Sequence, residues 1–119
     1  MKQNDKSIEY YSRALGINEK LGIKDGIAAC LNNIGMVYDS HGQYAKALEN
    51  YIKALAIFEQ LGLKAESASC LNNIGWGYKA LGQKTKALDY YKQALVIDEE
   101  LGIKDSIARD QDNISKLTK

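Results

Sequence analysis

The residue types that recur in this chain with a spacing fit for chemistry are amides. The pairs Asn32-Asn33 and Asn72-Asn73 sit inside one six-residue word written twice, Cys30-Leu-Asn-Asn-Ile-Gly35 and Cys70-Leu-Asn-Asn-Ile-Gly75, and Asn113 follows Asn73 by forty residues. A carboxamide is both donor and acceptor, so a row of them can pair with the main chain of an extended peptide without reading its side chains. Trp76 stands one period after Met36, and a tryptophan on a binding face is an anchor for an apolar or aromatic group. Bond-making chemistry has no such support. The single histidine, His41, falls in a turn without a recurrent acid beside it, and Glu99-Glu100 are helix neighbours that do not face each other. Two cysteines and one histidine make no familiar zinc pattern, and no glycine-rich phosphate loop is present. The expectation is a binding surface with no catalytic residue, no metal and no cofactor.

The elements that must carry these residues are set by repetition. Lys6–Gly22 returns as Lys46–Gly62 and as Lys86–Gly102, and half the positions of residues 6–45 are identical in 46–85. A fixed period of forty means stacked supersecondary units, each too small to bury its own apolar face. The 119 residues make one domain, with units at about 6–45, 46–85 and 86–119. Ala28, Leu31, Ile34, Gly35 and Tyr38 form one helical stripe; Ala47, Leu48, Tyr51, Ala54, Leu55, Phe58 and Leu61 form a longer one. The spacing predicts six antiparallel helices near 4–21, 25–41, 44–61, 65–81, 84–101 and 105–117. Glycine in Leu21-Gly-Ile23, Leu61-Gly-Leu63 and Leu101-Gly-Ile103 closes the longer helices. Asp25 and Asp105 are expected to cap the helices that follow, and Ser67 to start its helix late. The predicted core is Tyr11, Leu31, Ile34, Tyr38, Tyr51, Leu55, Leu71, Ile74, Tyr78 and Tyr91.

Composition excludes several classes. Net charge is +1 and proline is absent, which fits a folded helical domain and gives no basic field for nucleic acid. No apolar run approaches the ~20 residues that span a bilayer, and no signal peptide is read at the start. Cys30 and Cys70, a repeat-width apart, are expected to be semi-buried, reduced thiols beyond disulfide reach, which suits a cytoplasmic protein.

These residues resemble the tetratricopeptide repeat (TPR). Leu31, Ile34, Gly35, Tyr38, Gly42, Tyr44, Ala47, Tyr51 and Ala54 follow the family's signature in order and spacing; Leu71, Ile74, Gly75, Tyr78, Gly82, Ala87, Tyr91 and Ala94 follow it again, with Lys84 in place of the aromatic. The resemblance implies an all-α, right-handed TPR solenoid. Glu59 replaces the frequent proline after the second helix, giving the longer period, which is similar to the repeats of kinesin light chains, spindle-orientation adaptors and bacterial peptide-sensing regulators. The chain begins on a second helix and finishes on a first, with Gln111 and Ser115 breaking the pattern in the last. It reads as part of a longer array, or a piece cut from one.

The resemblance also places a groove on the face opposite the stripe. There lie Asn32, Asn33, Met36 and Asp39 of one repeat, Asn72, Asn73, Trp76 and Lys79 of the next, and Arg109, Asp112, Asn113, Lys116 and Lys119 of the last. In the long-repeat relatives, asparagines at the level of Asn33, Asn73 and Asn113 hold peptide main chain. The competing reading is that they bond locally and order the stack, and that Trp76 merely covers the neighbouring helix. A carboxylate clamp of the chaperone-tail type is not expected: Asn73 and Arg109 fit it, whereas Asn32, Met36 and Asn113 stand where other types are required. Two functions follow: a scaffold holding a protein or peptide in the groove, or a structural module that self-associates through its unpaired terminal helices and has no external ligand.

Overall fold

The computed structural model describes the backbone over residues 2–118 and side chains from 6 to 118. It contains α1 (Lys2–Leu21), α2 (Lys24–Ser40), α3 (Tyr44–Gln60), α4 (Lys64–Ala80), α5 (Lys84–Leu101) and α6 (Lys104–Thr118), with no strand among the described residues. The most extensive packing is between consecutive helices, as expected of a stack in which each unit meets only its neighbours. The boundaries fall within about two residues of those the glycines and stripes predict. No helix is long and apolar enough to cross a membrane among the described residues.

The helix ends follow from the glycines. Gly62 adopts a φ of +69°, its N–H reaches Glu59 C=O at 3.0 Å, and the N–H of Leu63 reaches back to Phe58 C=O at 3.0 Å. The same pair of bonds, with an apolar residue after the glycine, closes α5 at Gly102 and Ile103. The expected caps differ. Asp25 and Asp105 lie inside the first turns of α2 and α6, and the cap of α2 is Ile23, with no side-chain bond. There the acids meet the positive end of the helix dipole instead of bonding an amide. Ser67 does not delay its helix: α4 starts at Lys64, and the Ser67 hydroxyl donates to Leu63 C=O at 2.9 Å.

Two clusters form the core, one around Ala28, Ala54, Phe58 and Cys70, the other around Ala47, Leu48, Tyr51 and Ile74. Of the predicted core, Ile34, Tyr51, Leu71, Ile74 and Tyr91 are buried, while Tyr11, Leu31, Tyr38, Leu55 and Tyr78 are half-buried. Tyr38 and Tyr78 sit at the rim under the ammonium groups of Lys46 and Lys86, 5.5 and 5.3 Å from their ring centres. The crossing of α2 and α3 is as close as Gly35 allows: a β-carbon there would lie 2.7 Å from the Tyr51 ring. Cys30 and Cys70 are free thiols, and both are buried rather than semi-buried. Burial, followed by the charge of Glu59, pushes the Cys70 thiol up to about 12, which keeps it protonated and unreactive.

Candidate functional site

Asparagines on α2, α4 and α6 form a ladder between repeats. Asn73 Nδ2 donates to Asn32 Oδ1 at 3.1 Å, and Asn113 Nδ2 donates to Asn72 Oδ1 at 2.9 Å. The two asparagines of each pair thus divide the work: the second of one repeat reaches the first of the repeat before. Asn32 also accepts from the Cys70 thiol at 3.7 Å and has its own amide 3.9 Å from the Met36 sulfur. Asn33 is half-buried. Local ordering of the stack therefore accounts for one donor on each of Asn73 and Asn113; the other N–H and the Oδ1 of each are left for further partners.

Beside the ladder, α2, α3 and α4 enclose a cleft of about 310 Å³ lined by Met36, Asp39, Ser40, Tyr44, Tyr51, Asn73 and Trp76. Asp39 organises it. Its Oδ2 accepts from the Tyr51 hydroxyl at 3.1 Å and its Oδ1 from Trp76 Nε1 at 3.0 Å. Burial first, then the Asp39 carboxylate, raises the Tyr51 phenol well above its ordinary value, so it remains a neutral donor. Trp76 is 47% exposed and Met36 50%, so the cleft opens between two large apolar side chains. Lys79 lies with its ammonium 5.2 Å from the Trp76 ring centre. Tyr44 was missed as a site residue by sequence reasoning. Asp39 was placed on the groove face, three residues after Met36, without a role of its own.

Arg109 lies elsewhere. Its Nη2 lies 3.2 Å from Asp110 Oδ1 and 3.5 Å from Asp98 Oδ2, joining α5 to α6. Asp98 is 2% exposed and Asp110 0%, and each has a buried Oδ2 without a hydrogen-bond partner. Burial is the largest cause that pushes the Asp110 carboxyl up to about 7; the adjacent Asp98 adds to it and Arg109 opposes it. These acids occupy the positions of Phe58 and Cys70 one repeat earlier, a substitution legible in the alignment of repeats. Lys116 pairs with Asp112 at 3.0 Å on the exposed surface; Lys119 lies outside the described residues. No group of three or more histidine, cysteine, aspartate or glutamate side chains could hold a metal among the described residues.

The repeat geometry defines a helical-repeat scaffold. The chain matches the tetratricopeptide-repeat family over residues 1–60 and 41–100 and belongs to it. No curated protein sequence matches it significantly. It is similar in structure to BtubC (BKLC) of P. vanneervenii, with 25% identity and a TM-score of 0.88 over 98% of this chain and 49% of that one. Aspartyl phosphate phosphatase F of Bacillus subtilis superposes with a TM-score of 0.92 at 24% identity, over 98% of this chain and 31% of that protein, a likeness of fold alone. A Rap protein complexed with Competence and Sporulation Factor gives 0.77 at 25% identity, over 98% of this chain and 38% of its own. The chain thus spans half or less of the length of these relatives.

Proposed function

We propose that this chain is a protein-interaction scaffold that takes a peptide or extended segment of a partner across α2, α4 and α6, with the cleft at Asp39 and Trp76 as its anchor. The tetratricopeptide fold and the Rap relative solved with a bound factor support a protein or peptide partner. The observation that carries the finer reading is the pairing of two exposed apolar side chains, Met36 and Trp76, at the mouth of a cleft with a fixed polar wall. Such a site supplies buried area at the anchor and hydrogen bonds beside it, the division of labour found in peptide grooves. The carboxamides of Asn33, Asn73 and Asn113 supply donors and acceptors for the partner's main chain, with Asn32 and Asn72 holding the latter two in place.

The test is a titration of random hexapeptide pools, followed by Trp76 fluorescence and calorimetry. Asn73→Ala should weaken a bound peptide by about 1–3 kcal/mol, because it strands polar groups of the partner. Trp76→Ala should cost at least as much through lost contact area. Unchanged affinity in both variants would return these residues to a purely structural role.

A further inference from the structure

We propose that the cleft between α2, α3 and α4 receives a cationic side chain, lysine or arginine, of the peptide partner, with Asp39 as its counter-charge. This rests on the groove reading above and names the group that the anchor recognises. Asp39 is the one charged side chain lining the cleft among the described residues. Its two oxygens are held from two different helices by the Tyr51 hydroxyl and the Trp76 indole. Neither donor carries a charge, so the bonds orient the carboxylate without neutralising it. Each oxygen accepts one of these bonds and keeps a further acceptor direction free.

The surrounding surface suits a cation. The aromatic ring of Tyr44 attracts positive charge through its quadrupole, while one face of Trp76 is already met by the Lys79 ammonium at 5.2 Å. Methylenes of an incoming lysine or arginine would lie against Met36 and Trp76, both exposed and apolar. A volume of about 310 Å³ accommodates such a side chain.

The next repeat supplies an internal contrast. Tyr51 and Asn73 are kept there as Tyr91 and Asn113, while Asp39, Tyr44 and Trp76 become Lys79, Lys84 and Lys116. Three lysines at the equivalent places repel a cation. Neighbouring helices of the stack lie about 10 Å apart, roughly three residues of extended chain. A partner with its basic side chain at Asp39 therefore carries a neutral or acidic one about three residues away, which fixes its register.

The experiment uses hexapeptide pools randomised at five positions, with the third fixed as arginine, lysine, citrulline, norleucine or glutamate. Affinity for the intact protein is read by Trp76 fluorescence and calorimetry at low salt. Arginine and lysine pools should bind at least tenfold tighter than citrulline and norleucine, and Asp39→Asn should abolish that preference. Citrulline keeps the shape of arginine without its charge, so the comparison holds even if the variant is destabilised. Equal binding of arginine and citrulline pools, lost in Asn73→Ala and Trp76→Ala, would overturn the cation site and leave the groove standing. A preference for glutamate would overturn it likewise, and no binding of any pool at millimolar peptide would overturn both.

Discussion

The buried carboxyl pair Asp98 and Asp110 is a costly placement of two side chains. Two acids at 2% and 0% exposure, with one guanidinium near both, cannot both ionise without loss. The Asp110 carboxyl, ordinarily at 3.8, is held at about 7 by burial and by Asp98 against the pull of Arg109. An acid raised in the folded chain binds more protons folded than unfolded between those values, so its contribution to stability falls as pH climbs from about 4 to about 7. Melting temperatures of the wild type and of Asp110→Asn should therefore diverge across that window. The variant should gain steadily relative to the wild type, and the difference should level off above pH 8. Parallel curves would show that the pair carries no shared proton. Cys70, in the equivalent place one repeat earlier, avoids the conflict because its thiol stays neutral up to about 12.

At the scale of elements, each helix is bounded by a glycine turn and held by what it buries. α4 is central and packs against both α3 and α5. Its Leu71, 2% exposed, is flanked by helices that are themselves packed on further neighbours, so a hole there collapses poorly. Leu71→Ala should cost about 2–5 kcal/mol in denaturant unfolding, and a loss below ~0.5 kcal/mol would place Leu71 outside the core. Gly75 tests the opposite fault. A β-carbon there would stand 2.8 Å from the Tyr91 ring, so Gly75→Ala should destabilise by overpacking, about 1–3 kcal/mol. If its melting temperature matched that of the wild type, α4 and α5 would have room to separate.

The whole molecule is a stack measuring 43 × 32 × 20 Å, in which α1 packs chiefly on α2 and α6 chiefly on α5. Association of the two end helices from different copies, the structural alternative to peptide binding, would set Tyr11 on α6 as Tyr51 sits on α2. The residue that meets the ring is then Ser115, where α2 and α4 have Gly35 and Gly75. With a β-carbon at Gly35 only 2.7 Å from the Tyr51 ring, that seat is obstructed by the serine. Ser115→Gly should therefore increase end-to-end association in sedimentation at high concentration, while the unaltered chain stays mainly monomeric. Equal association of both proteins would show that copies meet by another surface.

The sequence by itself determined the period, the number and bounds of the helices, and the family, because glycine turns and apolar stripes are local signals that packing only reinforces. The close crossing at Gly35 was legible for the same reason: a small residue opposite a tyrosine recurs at fixed spacing. Tertiary structure alone decided how the polar side chains are shared. That Asn73 bonds Asn32 and not a residue of its own helix depends on the offset between neighbouring repeats, which no single helix encodes. The same offset brings Trp76 of α4 to Asp39 of α2 and joins two side chains of separate repeats into one wall of a cleft. It also buries Asp98 and Asp110 beside each other; the repeat alignment puts acids at two core positions, but only the packing of α5 on α6 sets the two side by side.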